Sequence, residues 1–183
     1  MSEEMLIQHC SPTLAGMKTG NLFGCRYASA DHMREAVRLW NRALSAKGIR
    51  VLPLRYRDGR ALIYLYRPSR LKHDLTDAAA CRILHGCGYT VETPERCIVQ
   101  LIRRLADHSE FPHEIGLFLG YPPEDVCGFM ENPSSSCPCV GCWKVYGDAE
   151  TAQKTFAKFK KCTRVYCAQY AMGKSIERLT VAG

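Results

Sequence analysis

The sequence predicts an α+β fold, with a small, mainly antiparallel sheet around a central hairpin and about four to five helices packed on it. The hairpin is indicated by IRVLPLRYRDGRALIYLYR, residues 49–67. Helical periodicity with capping residues lies before and after this stretch. The chain has 183 residues, 46% hydrophobic and 23% charged, which is enough to bury a core, and we expect one domain over residues 1–183.

One strand and one helix are indicated before the hairpin. The first thirty residues are Gly-rich and poorly periodic, and NLFGCRY within them has the composition of a strand. Asp31 to Lys47 is predicted to be a helix, because apolar residues recur on one face: Met33, Val37, Trp40 and Leu44. Gly48 is the residue expected to end it, since glycine takes positive φ without penalty.

The two-residue turn sets the predicted register of the hairpin. Asp58-Gly59 accepts the positive φ angles of a type I′ turn, so the opposed pairs would be Arg57 with Arg60, Tyr56 with Ala61, Leu54 with Ile63 and Leu52 with Leu65. One face would be the core face, and the other would carry Arg55, Arg57, Arg60, Tyr64 and Tyr66. Pro53 predicts an edge strand or a bulge.

Helices and short strands are predicted after the hairpin. Helices are expected over residues 74–85, from the N-cap Thr93 onward, and again from about Pro122. The apolar run Ile115 to Leu119 is short and predicts a buried strand, on which the preceding His113 and Glu114 would point to opposite faces. Residues 131–147 are predicted as a loop leading into a strand at 143–146, and Asp148 caps a last helix that runs to about Met172.

Composition and charge limit the compartment and the partners. The N-terminal MSEEMLIQHC is not a secretory signal, and no apolar run could cross a bilayer, so we expect a cytoplasmic protein without a membrane partner. The eleven cysteines are then expected to be thiols, and most would simply be small buried residues. The net charge of +7 permits an acidic partner or nucleic acid but requires neither.

The stretch CPCVGC is the first candidate site. Cys139 and Cys142 form a C-x-x-C pair, and Cys137 adds a third thiol. Soft sulfur suits zinc or an iron–sulfur cluster. A structural site takes four ligands, so Cys127, Cys162, Cys167 or His113 would have to supply the rest. The alternative is a reduced, Cys-rich loop.

Cys10 and His113 form the second candidate site. Cys10 precedes Ser-Pro-Thr, which would start a helix whose dipole stabilises the thiolate. His113 would be the base, and Asn132 or Glu131 would orient its imidazole. In the alternative interpretation Cys10 packs in the core and His113 forms a hydrogen bond at a strand end.

These stretches loosely resemble papain-like cysteine peptidases of the bacteriocin-processing type. The matching residues are Cys10, Pro12 and Thr13, then His113, Gly120 and Tyr121, then Asn132 and Pro133. The resemblance implies a cysteine-nucleophile hydrolase or transferase. The sequence departs from the pattern because Gln8 lies only two residues before the cysteine, whereas those enzymes place an oxyanion glutamine well before it. A hairpin also stands where that fold has helices.

The arginine and tyrosine face of the hairpin is the third candidate site. Arginine beside exposed aromatic rings can contact phosphates and stack on bases. The last helix adds a basic side. No nucleic-acid-binding motif accompanies these residues, so a solvated outer sheet face is the favoured interpretation and nucleic acid is not the expected partner.

Four stretches together resemble one family: HCSPTLAGMKTGNLF (9–23), FPHEIGLFLGYPPEDV (111–126), WKVYGD (143–148) and GKSIERLTV (173–181). They are similar to the bacterial and archaeal family called domain of unknown function 3793, and the similarity covers nearly the whole chain. The resemblance implies a cytosolic protein of anaerobes in a redox or metal context, with an acidic redox protein such as a flavodoxin as partner. It implies no activity and no catalytic residues.

Three function classes follow from these candidates. A thiol-rich metal-binding or redox module ranks slightly ahead of an enzyme that uses Cys10 and His113. Both rank ahead of a basic module that binds nucleic acid or protein. A protein without small-molecule chemistry is an equally ranked alternative. We expect the site to be a cleft near His113, lined by Cys10 and the loop that holds Cys137, Cys139 and Cys142.

Overall fold

The computed structural model describes residues 1–107, 110–133 and 136–183. Its helices are α1 Glu3–Leu14, α2 Ala30–Leu44, α3 Pro68–Leu75, α4 Ala78–Gly86, α5 Pro94–Asp107, α6 Ile115–Phe118, α7 Pro123–Glu131, α8 Ala149–Ala171 and α9 Ile176–Leu179. Its strands are β1 Gly20–Arg26, β2 Arg50–Arg57, β3 Arg60–Tyr66, β4 Cys139–Val140 and β5 Lys144–Val145. The predicted α+β class is confirmed. The described residues hold nine α-helices, more than the four to five expected, because α1 and several short helices were not foreseen.

A three-stranded antiparallel sheet with the order β1-β3-β2 forms the centre of the fold. The predicted pairs Arg57–Arg60 and Tyr56–Ala61 are confirmed. Beyond them a bulge between Pro53 and Arg55 shifts the register, so that Ile63 lies opposite Pro53 and not opposite Leu54 as predicted. The pairing of Leu52 with Leu65 is wrong for the same reason. Pro53 has no backbone N–H to donate, which explains the bulge at this position.

Two hydrophobic cores lie on opposite faces of this sheet. Ile63 and Leu65 point into one core with α1 and α2, while Tyr64 and Tyr66 point into the other with α3 to α7. The first core is called the α1 core below, and the second the α5 core. Tyr64 and Tyr66, predicted on an exposed face with the arginines, are buried. That part of the prediction was wrong because the α5 core covers this end of the sheet.

The first helix was missed by the sequence prediction. Ser2 caps α1 by accepting from the backbone N–H of Met5, and Glu3 and Glu4 occupy its first turn. Its buried stripe is Leu6, Ile7, Cys10 and Leu14. Cys10 therefore lies two turns inside a helix and not at its N-terminus, and Pro12 lies in the last turn, not the first.

The segment Ile115–Phe118 is a short helix, so the predicted strand is wrong. Because all four of its residues are buried, the sequence shows no period that would separate helix from strand. Gly120 follows the C-cap of this helix and, with a φ of 75°, turns the chain away from it. A Cβ on Gly120 would lie 2.7 Å from Thr19 Oγ1, so this turn packs directly against the segment that leads into β1.

The remaining predictions for the second half of the chain agree with the structure in part. Thr93 and Asp148 act as caps, accepting from Arg96 and Thr151 as expected. The helix predicted over residues 74–85 is divided into α3 and α4, because Asp77 caps a new helix. Ser134 and Ser135 of the predicted loop lie outside the described residues. That residues 1–183 form one domain stays a prediction.

Candidate functional site

The structure does not bring Cys10 and His113 together. Cys10 is fully buried in the α1 core, and burial raises the pKa of its thiol well above the ordinary value. His113 is exposed and lines a cavity whose other walls belong to the α5 core, on the opposite face of the sheet. The geometry gives no support to a thiolate–imidazole pair, because the sheet lies between the two side chains.

His113 lies at the mouth of a small apolar pocket. The pocket has a volume of about 300 Å³, and its walls include Ile115, Leu119 and Val126. The imidazole packs edge-on against Phe129, with 4.8 Å between ring centres. Asn132, the predicted orienting residue, is the C-cap of α7, and its backbone oxygen accepts from the Tyr146 hydroxyl.

Glu114 has a different environment from its neighbour. It is buried and accepts from Arg104 Nε at 2.7 Å and from the Tyr89 hydroxyl at 3.0 Å. A buried carboxylate with these partners fixes the turn before α6 against α5 and is not free for proton transfer. The prediction that His113 and Glu114 face different surroundings holds, but a turn and not a strand is the cause.

The cysteine loop spans β4 and the turn that follows it: Cys137 precedes β4, Cys139 begins β4, and Cys142 lies in the turn between β4 and β5. Cys137, Cys139 and Cys142 are free thiols, and Cys142 is exposed. Within residues 1–107, 110–133 and 136–183, no three His, Cys, Asp or Glu side chains are grouped so that they could hold a metal ion. The geometry of the described residues therefore does not support the predicted zinc or iron–sulfur site.

A different cleft brings together three distant segments and is called the basic cleft below. It has a volume of about 560 Å³, within the range of small-molecule sites. Its lining combines cationic, aromatic and small polar residues: His9, Pro12, Lys18, Asn21, Tyr121, Cys142, Phe156, Phe159, Lys160, Thr163 and Arg164. No carboxylate is among the described residues that line it, so its cationic side chains face no acidic side chain within the cleft.

Lys18 is the buried cation of the basic cleft. It lies in the turn between α1 and β1 and is only 7% exposed. Burial lowers its pKa to about 8, although Cys142 and Cys10 oppose this shift. In the described part of the chain, no Asp or Glu side chain lies within ion-pair distance of its ammonium group. Such burial of an unpaired charge costs stability and is a frequent mark of a functional group.

Aromatic rings hold Lys18 in place from one side. Its ammonium nitrogen lies 5.0 Å from the centre of the Tyr121 ring, which stacks on Trp143 at 4.7 Å. Trp143 in turn meets Phe156 of α8 edge-on at 4.6 Å. Tyr121, Trp143 and Phe156 are called the aromatic wall below. A cation on an aromatic face is stabilised without losing its charge, and its remaining N–H donors stay available to a ligand.

The neighbouring cavity on the other side of Lys18 is acidic, and among the described residues three of the four carboxylates that line it have hydrogen-bond partners. Asp125 is buried and accepts from Trp143 Nε1 at 2.7 Å and from the backbone N–H groups of Tyr146 and Gly147. Asp74 accepts from the Thr19 hydroxyl, and Asp148 caps α8. These contacts fix the aromatic wall and the Lys18 turn, so this cavity supports the basic cleft structurally.

Little in the sequence predicts the basic cleft. Lys18 stands alone in AGMKTGN, and nothing in that stretch predicts a buried lysine. Phe156, Phe159 and Arg164 lie in the predicted last helix, but their meeting with Lys18 depends on the packing of α1 along α8. The usable signal was the glycine-bounded turn at residues 16–20, since such turns let backbone segments approach closely.

Four arginines on one face of the sheet form a second charged feature, called the arginine face. Arg26, Arg60 and Arg57 lie side by side across the three strands, and Arg55 lies on the same face two residues along β2. Arg57 contacts Asp58 at 3.4 Å, with both side chains largely exposed. Arg26 was not in the predicted set, because the pairing of β1 with β3 is a tertiary feature.

Comparison with known proteins gives one match. A family model described as "Protein of unknown function (DUF3793)" matches residues 6–180, in agreement with the resemblance derived from the sequence. No curated protein and no solved structure matches the chain, and the peptidase resemblance is not confirmed. Among the described residues, no helix is both long and apolar enough to span a membrane.

Proposed function

The chain belongs to the DUF3793 family of proteins of unknown function, so its function has to be inferred from the geometry of the site. We propose that it binds a small anionic molecule in the basic cleft. The single observation that carries this proposal is Lys18, a buried ammonium group without a carboxylate partner among the described residues. A bound anion would supply the missing charge. The cost of keeping Lys18 buried is then offset in the complex.

The other residues of the cleft indicate what the anion carries. Lys160 and Arg164 are exposed at one side and can contact a carboxylate or phosphate. Phe156, Phe159 and Tyr121 offer apolar and aromatic surface beside these cations. We therefore infer a ligand with one anionic group and an aromatic or apolar body, small enough for about 560 Å³.

Calorimetric titration with phenyllactate tests the proposal, since this probe joins a carboxylate to an aromatic ring. We expect saturable binding to the full chain and much weaker binding of neutral phenylethanol. Lys18→Met should weaken phenyllactate binding by about 10- to 100-fold, the loss expected for a hydrogen bond to a charged group. Lys158→Met is the matched control, because Lys158 is exposed on α8 and does not line the cleft.

Binding should also weaken as the pH rises through about 8 and above, because Lys18 then loses its charge. Equal binding of phenyllactate and phenylethanol would contradict the proposal. So would equal affinity in the wild type and Lys18→Met, provided that circular dichroism shows both to be folded.

The arginine face favours a second candidate function, docking of a protein partner with an acidic surface. Arg60 has an arginine on each side, and Asp58 is the carboxylate in contact with this set among the described residues. Like charges placed directly opposite each other are unfavourable unless an anion neutralises them. Arginine pairs with carboxylates in a planar, two-bond geometry, which suits an acidic protein surface.

Fluorescence anisotropy with labelled polyglutamate tests this second candidate. We expect binding that weakens with salt, as for any contact between charged surfaces. Replacing Arg26, Arg57 and Arg60 by Thr should abolish it, and replacing Arg38, Arg42 and Lys158 by Thr should not. Preferential binding of a single-stranded oligonucleotide over polyglutamate would overturn the assignment of a protein partner.

A further inference from the structure

Lys18 has a nucleophilic nitrogen at the buried end of the basic cleft. The exposed cations Lys160 and Arg164 lie in the same lining, so they can hold the anionic group of a ligand in those molecules in which Lys18 has lost its proton and its charge. The amine of Lys18 is then free to meet another part of the same molecule. Among the described residues, no carboxylate forms an ion pair with its ammonium group.

We propose that Lys18 forms an imine with an anionic carbonyl compound bound in the basic cleft. This inference rests on the proposed function, because the basic cleft must first bind the anion. Three observations support it: Lys18 is buried, its ammonium group contacts the Tyr121 ring, and the exposed cations Lys160 and Arg164 line the same cleft. Amines that form imines in proteins are commonly desolvated lysines in such partly apolar pockets.

The protonation state of Lys18 agrees with this role. Burial lowers its pKa to about 8, so near neutral pH a fraction of the molecules holds the free amine, which is the attacking species. An ordinary exposed lysine, with a pKa of about 10.4, holds far less free amine at the same pH. Lys18 should therefore react faster than the exposed lysines of the chain.

The atoms of the step balance without an oxidant or a metal. The nitrogen lone pair of Lys18 attacks the carbonyl carbon and opens the C=O double bond to give a carbinolamine. The oxygen then leaves as water, taking up the two protons that the amine loses, while nitrogen and carbon form the C=N bond. Neither oxidation nor reduction occurs, and the reverse reaction with water restores both partners.

Phenylpyruvate is the probe for this step, since it has the aromatic ring and carboxylate of phenyllactate together with a ketone. The full chain is incubated with phenylpyruvate and cyanoborohydride, which reduces an imine to a stable secondary amine. Intact mass and peptide mapping then locate the adduct. We expect one adduct per chain, on Lys18, formed about 100-fold faster than on any exposed lysine, because pKa values of about 8 and about 10.4 give at least that difference in free amine near neutral pH. Phenyllactate, which has no carbonyl group, should slow it by competition.

Lys18→Arg separates chemistry from binding, because arginine keeps the positive charge but does not form an imine under these conditions. We expect this variant to bind phenyllactate within a few-fold of the wild type and to give no adduct at this position. Lys158→Arg should behave as the wild type. Peptide mapping of the wild type alone already decides the question if Lys18→Arg does not fold.

The outcomes distinguish the two proposals. Phenyllactate binding with adducts spread over exposed lysines, or with no adduct, overturns the imine and leaves the anion cleft standing. Absence of both binding and adduct overturns both. A Lys18 adduct that phenyllactate does not slow would also overturn the inference, because the reaction would then occur outside the basic cleft.

Discussion

The ammonium nitrogen of Lys18 lies 5.0 Å from the centre of the Tyr121 ring, in a position where the lysine is only 7% exposed. The ring offsets part of the desolvation of the charge, but the pKa of Lys18 is still lowered from 10.5 to about 8. The charged form is therefore less stable in the folded chain than in the unfolded chain.

Replacing Lys18 by Met should stabilise the ligand-free protein at neutral pH. Below pH 8 the folded wild type carries the full cost of the buried charge, which the change in pKa puts at roughly 3 kcal/mol. Between pH 8 and 10.5 the unfolded chain binds more protons than the folded chain, so the free energy of unfolding rises with pH. The advantage of Lys18→Met should shrink over that range.

Urea unfolding at pH 7 and pH 10 measures this effect. Lys158→Met serves as control and should show no such change in its difference from the wild type. A constant difference between wild type and Lys18→Met at both pH values would mean that the pKa of Lys18 is not lowered by folding.

The thiols should differ strongly in their rate of alkylation. Cys10 is fully buried, and burial raises the pKa of its thiol. Cys142 is exposed; partial burial of its sulfur raises its pKa, and the nearby Lys18 offsets part of this rise. Iodoacetamide should modify Cys142 at least about tenfold faster than Cys10, as peptide mapping would show. Cys10→Ser should leave the rate at Cys142 unchanged and cost about 1–3 kcal/mol of stability, because it buries a hydroxyl among apolar residues. Fastest alkylation at Cys10 would restore it as a candidate nucleophile.

Glu114→Gln should destabilise the fold by about 2–4 kcal/mol. The carboxylate is 2% exposed and accepts from Arg104 Nε at 2.7 Å, so its loss leaves a partly buried guanidinium without its counter-charge. Tyr89→Phe is the milder comparison, since it removes one hydrogen bond to the same carboxylate and should cost about 1 kcal/mol. Equal stabilities of the two variants in urea unfolding would show that the ion pair contributes little.

Gly120→Ala should be more harmful than Gly173→Ala. Both glycines have positive φ, 75° and 86°, so both substitutions carry backbone strain of about 1 kcal/mol. At Gly120 the new Cβ would also lie 2.7 Å from Thr19 Oγ1, whereas at Gly173 it would meet open space. Thermal unfolding should show a further loss of about 1–3 kcal/mol for Gly120→Ala alone. Because Thr19 adjoins Lys18, this variant should also bind phenyllactate more weakly.

Arg60→Thr should stabilise the protein at low salt. Arg60 lies opposite Arg26 on one side and Arg57 on the other, so its removal relieves two like-charge contacts worth a few tenths of a kcal/mol each. The gain should fall in molar salt, where charges are screened. Arg57→Thr is the control: it relieves one such contact but loses the pairing with Asp58, and should be nearly neutral. A salt-independent gain for Arg60→Thr would contradict the electrostatic explanation.

Local chemistry made part of the fold predictable. The turn at Asp58-Gly59, the caps Thr93 and Asp148 and the periodic face of α2 depend on residues a few positions apart, and the structure agrees with each of them. The bulge at Pro53 followed equally from the missing N–H of proline. Its consequence for the register did not, because the side on which the extra residue falls is decided by packing against the sheet.

The site was much less predictable than the fold. The expected cleft near His113 exists as an apolar pocket, but Cys10 and the cysteine loop do not meet His113 there. The short apolar run Ile115 to Leu119 predicts a strand, whereas the structure has a helix there, because full burial removes the period that distinguishes helix from strand. This error also supplied the wrong reason for the orientation of His113 and Glu114.

The sequence by itself determined the family, the α+β class and the hairpin, because these depend on motifs, composition and short-range backbone chemistry. Only the tertiary structure decided that Cys10 and His113 lie on opposite faces of the sheet and that Lys18 is buried beside Tyr121. Burial and charge pairing depend on side chains far apart in sequence: Lys18 meets Tyr121 and the α8 residues Lys160 and Arg164 only after α1 packs along α8. The burial of this cation is therefore a product of the packing of the chain.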